Sequence, residues 1–236
     1  NMSVQIRDFT EKDVPILVSL LNETYKGTYE FVSYDLETLN SEIVERKLKV
    51  LMAEIKGEVL GSVAYQDSPW GELIEWLALF ETPNQKSIGN ALVREIEKFV
   101  KGQTVFTVVD AESPKIDEWV EWGYKPEGGL YHMVAGLDGL KLLPRVQEGI
   151  LIRGLKPEEE RELVEVVNLG FGRERIKMGA IQRWKSECPP FSEEWVQIAE
   201  LNGKIVSVVV ARPDMIYNKF FGGKRGYLGP ASTLSE

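Results

Sequence analysis

Slid against itself by 146 residues, the sequence stays in register without a gap. Ile6-Arg7 recurs as Ile152-Arg153, Leu17-Val18 as Leu163-Val164, Asn22 as Asn168, Ala53-Glu54 as Ala199-Glu200, Gly57 as Gly203 and Val63 as Val209. Conservative pairs fill the intervals: Tyr25 with Phe171, Val59 with Ile205, Leu60 with Val206. A period this long exceeds the roughly 20–50 residues of a solenoid unit, so it implies a duplicated domain. The 236 residues hold about one and a half to two domains of ordinary size. The expected organisation is a first domain over 1–138, a linker over 139–148 containing Gly139 and Pro144, and a second domain over 149–236.

Both copies open alike. A short alternating strand, Val4 to Arg7 or Ile150 to Arg153, leads through a polar cap region into an amphipathic helix. That helix carries Ile16, Leu17, Leu20 and Leu21, or Leu163, Val166 and Val167. A second helix around 37–49 has Leu39, Ile43 and Leu48 among charges. A hairpin follows, Val50 to Ile55 and Val59 to Tyr65 about Lys56-Gly57, with its counterpart about Asn202-Gly203, a strong turn signal. Copy one continues through a Pro69-Trp70-Gly71 turn to a strand over 72–80, a loop over 81–87 and a helix over 88–101. A strand over 104–109, a helix over 114–122 and a closing strand over 130–137 complete it. Copy two has an enlarged loop over 213–224 and a strand over 227–231, and then the sequence ends.

Several classes of function are disfavoured. Hydrophobic residues make up 43% and charged residues 28%, and no apolar run approaches the roughly 20 residues of a membrane span. The opening lacks the basic, apolar and small-residue layout of a secretory leader, so the expected setting is the cytoplasm. One cysteine, Cys188, and one histidine, His132, leave too few ligands for a zinc site, so no metal is expected. A net charge of −9 without a Lys/Arg-rich block argues against nucleic acid and suits a cationic amine.

The chemistry concentrates at Glu81-Thr82-Pro83-Asn84-Gln85-Lys86-Ser87-Ile88-Gly89-Asn90-Ala91, a polar segment ending at a helix N-terminus. The first turn of a helix leaves N–H groups unpaired and carries partial positive charge, which suits a phosphate. Ser87 and Gly89 are small enough for close approach, and Lys86 can add a charge contact. The plainer alternative is an ordinary helix with Ser87 as N-cap.

The stretches IRDFTEKD, AEIKGEVLGSVA and ELIEWLALFETPNQKSIGNALVREIEKFV, together with the element order, resemble the GNAT family of acetyl-CoA-dependent N-acyltransferases over nearly all of copy one. The implied fold is α/β: two tandem GNAT-like domains, each a mixed, mostly antiparallel sheet flanked by helices, the second truncated. The implied co-substrate is acetyl-CoA, and the acceptor is the primary amine of a small molecule or peptide. The family's pyrophosphate loop reads Arg or Gln, any, any, Gly, any, Gly or Ala. Aligned on Gly89, this chain has Asn84 in the first place and Ser87 where the first Gly stands. The resemblance assigns Asn84 to Ala91 to the coenzyme, and the backbone of Leu77 and Leu79 to its pantetheine arm where the fourth and fifth strands splay.

Acyl transfer to an amine needs a neutral nitrogen and therefore a general base. Fourth-strand carboxylates are the candidates. Alternation puts Glu75 on one face with Leu77 and Leu79, and Glu72 on the other with Ile74. Glu75 is preferred, since desolvation inside an apolar strand would raise its pKa. Family members commonly place a tyrosine acid four residues before a Gly-Phe pair. Here Gly123-Tyr124 is that pair and Trp119 stands in the acid's place, with Tyr124 or Tyr131 as substitutes and His132 expected to be packed. Copy two stops at Ser232 to Glu236, where its own phosphate loop would begin. A non-catalytic coenzyme-binding module is the alternative, and a scaffold presenting Trp70, Trp76, Trp119 and Trp122 is a third.

Overall fold

In a computed structural model, which describes residues 3–68, 70–139 and 142–235, a hairpin turn at Lys56-Gly57 organises the first sheet. Both turn residues take positive φ, +53° and +80°, which joins strands two residues apart with the correct twist. The chain divides into two compact units, Asn1–Met133 and Val134–Glu236.

Unit one holds β1 (Gln5–Asp8), α1 (Val14–Tyr25), α2 (Leu36–Glu45), β2 (Lys49–Ile55), β3 (Glu58–Ser68), β4 (Gly71–Leu79), α3 (Gln85–Glu97), β5 (Phe106–Thr107) and α4 (Lys115–Glu121). The sheet order is β1-β2-β3-β4-β5, antiparallel except for the parallel pair β4/β5. Alternation along β2 and β3 splits the core in two. Leu51, Ala53 and Val63 face α3 and α4, with Ile88, Leu92, Ile96, Trp119 and Trp122. Val50, Met52 and Ala64 face α1 and α2, with Leu17, Leu20, Leu21 and Leu39.

Unit two holds β6 (Ile150–Gly154), α5 (Glu160–Phe171), α6 (Ala180–Glu187), β7 (Val196–Leu201), β8 (Lys204–Pro213), α7 (Met215–Phe221) and β9 (Gly226–Thr233), in the antiparallel order β6-β7-β8-β9. Its core joins Leu163, Val166, Trp184, Ile198 and Val210 on the helix side. Ile152 and Val209, counterparts of Ile6 and Val63, are partly exposed.

The repeat reappears in detail. Ile6 pairs with Ala53 and Ile152 with Ala199, and each hairpin shifts register at the next residue, Glu54 or Glu200. Asn202 and Gly203 repeat the positive-φ turn at +52° and +77°. Arg7 bridges Asp13 and Glu54, and Arg153 bridges Glu159 and Glu200. Asn22 clamps Tyr34 through both backbone groups, as Asn168 clamps Ile176, closing the loop after each first helix.

Four expectations change. The strand expected over 104–109 shrinks to Phe106–Thr107, which meets β4 only at Leu73 and Ile74. The closing strand expected over 130–137 does not form; Leu130 is 98% exposed, and so short a β5 offers little edge to template it. Helix α3 starts at Gln85, three residues before the apolar period begins, because its first turn is polar. The loop over 213–224 contains α7, started by Asp214 accepting from the Tyr217 amide and stopped by Gly222 at φ +67°. Pro69 of the expected turn, Leu140 and Lys141 of the expected linker, and the terminal Asn1, Met2 and Glu236 lie outside the described residues.

Candidate functional site

Beyond Ile74, β4 runs on to Leu79 while β5 has already parted from it. Even-numbered residues at this end turn their backbone toward β3, as the Phe80 amide does in donating to the Leu60 carbonyl at 2.9 Å. Leu77 and Leu79 therefore point their amides and carbonyls into the splay. There they meet α1. The Thr24 hydroxyl accepts from the Leu79 amide at 3.2 Å and donates to its carbonyl at 3.4 Å. The Tyr25 hydroxyl likewise accepts from the Leu77 amide at 3.2 Å and lies 3.5 Å from its carbonyl. Burial pushes the Tyr25 phenol up to about 12, partly offset by its bond to Leu77, and the Glu75 charge adds to the rise.

The chain then turns into α3. The Gln85 amide donates to Thr82 and the Ile88 amide to Asn84, leaving the first-turn amides of Lys86 and Ser87 without an acceptor in their own helix. Asn84 is the N-cap. Ser87 is not; it sits within the first turn, where its hydroxyl donates to the Asn84 carbonyl at 2.9 Å. A hollow of about 450 Å³ opens here, lined by Pro83, Lys86, Ser87, Asn90, Glu121 and Trp122. Lys86 pairs with Glu121 across it, and that carboxylate raises the ammonium's pKa. The Thr82 hydroxyl in the preceding loop is buried without a partner. Gln85 and Ala91 are half-buried beside this rim, whereas Ile88 belongs to the core. Gly89 faces inward as well. A Cβ there would lie 2.9 Å from the Trp122 ring and 3.0 Å from Leu79, so packing holds this position to glycine.

Glu72 shares a face with Ile74, opposite Glu75, as alternation places it, but Glu75 does not share a face with Leu77 and Leu79. Trp76 is opposite Ala64 but Ile74 is opposite Tyr65, so Glu75 is an extra residue on β4. This bulge resets the faces. Leu77 and Leu79 join Ile74 on the α3 side, and Glu75 turns to the α1–α2 side, where its Oε2 is 2.7 Å from Arg46 Nη2. Burial works to lower the Arg46 pKa, but the Glu42 and Glu75 carboxylates beside it outweigh that and raise it. Glu72 accepts from the Tyr65 hydroxyl at 2.5 Å and from the amides of Lys101 and Gly102 at 2.6 and 2.7 Å. The Tyr65 bond, then the amides, lower its pKa.

Trp119 is buried against Trp122 and Tyr124. The Tyr124 hydroxyl donates to Glu97 at 3.0 Å, and burial and that carboxylate raise its pKa. Tyr131 is exposed, and Trp76 is buried whereas Trp70 is exposed. His132 is not packed in a strand; its half-exposed ring bonds the Tyr29 hydroxyl. The Thr24/Tyr25 contacts and the Arg46 pairing escaped sequence reasoning, since neither leaves a periodic trace.

No protein-family model matches the sequence, and no characterised protein matches it at the sequence level. By structure, the chain is similar to a GCN5-related N-acetyltransferase from Sphaerobacter thermophilus, with 16% identity and a TM-score of 0.60, covering 98% of this chain and 76% of that one. An aminoglycoside acetyltransferase from an uncultured soil metagenomic sample, solved with sisomicin, gives 18% identity and 0.46 over 57% of this chain and 97% of its own. A ribosomal-protein-alanine N-acetyltransferase from Brucella melitensis gives 22% and 0.46 over 52% and 86%. Among the described residues no helix is long and apolar enough to cross a membrane. The fold of the chain is that of the GCN5-related N-acetyltransferases.

Proposed function

We propose that the chain is an acetyl-CoA-dependent N-acyltransferase acting on the primary amine of a small-molecule or peptide acceptor, with the coenzyme on the first of two tandem GNAT-like domains. In this reading 1–138 is a first GNAT-like domain, 139–148 a linker and 149–236 a second GNAT-like copy, in a cytoplasmic protein without nucleic-acid or membrane partners. The observation that carries it is the splayed β4/β5 pair running into α3, whose Lys86 and Ser87 amides lack acceptors beside a hollow. An anion at that helix end gains hydrogen bonds and a favourable dipole. The donor set fits a diphosphate: two free amides, Lys86 at the rim, and the orphaned Thr82 hydroxyl in the adjoining loop.

When bound, the coenzyme supplies an acyl group activated as a thioester. The chain must hold it and take a proton from the attacking ammonium. Backbone groups of Leu77 and Leu79 face the splay and suit the amides of an extended arm. Glu75 is the carboxylate kept for the proton, and Arg46 has to release it for that role. Glu72, committed to three donors, fixes the turn after α3 instead.

A second reading, a coenzyme-binding module without turnover, is favoured by Trp119 at the acid position and by the Arg46–Glu75 pair. Calorimetric titration with acetyl-CoA, followed by thiol release with a polyamine, an aminoglycoside, an amino acid and a peptide, separates the two. Binding with release supports the transferase and binding without release the module. No binding defeats both.

A further inference from the structure

The outward backbone groups of β4 are not free in the isolated chain. Two successive residues at the end of α1 present hydroxyls that satisfy alternate residues of the strand. Thr24 takes the Leu79 amide and carbonyl, and Tyr25 takes the Leu77 amide and lies within reach of its carbonyl. A hydroxyl both accepts and donates, so each imitates the amide of an incoming strand or ligand. The Tyr25 ring is braced by Phe31 at 5.8 Å.

Unit two serves as an internal control. Val209 opposite Ala231, against Val63 opposite Leu77, makes Ala231 and Thr233 the counterparts of Leu77 and Leu79. The helix residues 146 positions beyond Thr24 and Tyr25 are Gly170 and Phe171, neither with a hydroxyl. There the contact is reversed. Ser232 on the strand donates to the Val166 and Val167 carbonyls of the helix. The hydroxyl pair is therefore a feature of the first copy and not a requirement of the shared fold.

We propose that Thr24 and Tyr25 form an internal clasp that occupies the pantetheine positions of β4 in the free chain, so that binding of an acyl-CoA arm displaces the end of α1. This rests on the coenzyme reading given above. Two adjacent hydroxyls on the same four backbone atoms cannot coexist with a ligand arm there. Binding is thereby coupled to a movement of α1 and of the 26–35 loop behind it.

The test is calorimetric titration of acetyl-CoA into the full chain and into Thr24→Val, Tyr25→Phe and the double variant, with thermal melting as a check on folding. Relieving the competition should tighten binding by about tenfold in the double variant, the usual net worth of one to two hydrogen bonds. Equal or weaker binding by a folded double variant, beside measurable binding by the unaltered chain, overturns the clasp and leaves the coenzyme reading intact. Binding by the double variant alone supports both; binding by neither overturns both. Should the variants not fold, hydrogen exchange on the unaltered chain decides. With acetyl-CoA, residues 20–31 should exchange faster while the start of α3 slows, and slowing in both overturns the clasp.

Discussion

Arg7 grips Asp13 with both terminal nitrogens, at 2.8 and 2.9 Å, and its remaining nitrogen reaches Glu54 at 3.0 Å. The arrangement ties β1, the start of α1 and β2 together, and Arg153 repeats it on Glu159 and Glu200. The Arg7 guanidinium lowers the Asp13 carboxyl to about 2, and Arg153 does the same for Glu159. A depressed carboxylate contributes stability that is present above its unfolded value, near 4, and lost as pH falls through the folded one. Both units should therefore lose stability between about pH 4 and 2. Asp13→Asn should remove about 1–2 kcal/mol at neutral pH, after discounting for solvent, and flatten that acid limb. Urea melts at pH 7 and pH 3 check it; an equal loss at both values would show that the pair does not carry the pH dependence.

Gly170 and Ser232 lie so close that a Cβ on the glycine would be 1.9 Å from the serine Oγ and 3.2 Å from the Thr233 carbonyl. Gly170→Ala should push α5 off β9 and cost about 1–3 kcal/mol. Ser232→Ala in the same chain removes the clashing oxygen, so the double variant should melt above the sum of the single losses. Additive losses would mean that helix and strand are not in this contact.

Much of the fold was legible because it is written in periodic apolar positions. The offset that pairs Ile6 with Ile152 also returns in bulges, turn dihedrals and the two arginine bridges. Helix α7 was missed although Asp214 and Gly222 bound it, since Pro213 and the glycines around it suggest a loop. The faces of β4 were misassigned for a physical reason. Period-two reasoning assumes unbroken pairing, and the extra residue at Glu75 inverts every assignment between it and Leu79. Pairings such as Arg46 with Glu75 depend on where α2 ends over the sheet, which no local pattern encodes. Gly89 shows the converse: a glycine expected for phosphate approach is held by the Trp122 ring.

Lys86 is paired with Glu121 across the hollow at the start of α3, and both side chains are more than half exposed. So exposed a pair, screened by solvent, contributes little stability. Its effect falls on an incoming anion, which must compete with Glu121. Glu121→Gln should leave the melting temperature nearly unchanged and tighten acetyl-CoA binding about threefold to tenfold at low salt. Lys86→Ala should weaken it by a similar factor. Calorimetry at two ionic strengths checks both, and a Glu121→Gln chain with unaltered affinity would remove the hollow from the coenzyme site.

Arg46 stands among three oxygens, donating to Glu42 at 2.6 Å and to Gln66 at 2.9 Å while pairing with Glu75 at 2.7 Å. Glu75 Oε2 is buried, so Arg46→Met strands a carboxylate away from its cation and should cost about 1–3 kcal/mol. Glu75→Gln removes the charge instead and should cost less, and combining the two should recover part of the Arg46→Met loss. Catalysis gives the same residues a second readout. If Glu75 takes the amine proton, a folded Glu75→Gln chain should lose turnover by about a hundredfold or more while binding acetyl-CoA as before. Glu72→Gln weakens a carboxylate held by Tyr65 and two amides, so its turnover should fall only as far as its stability does. Full turnover in the Glu75 variant would rule out Glu75 as the base, and full turnover in both variants would take the base off β4.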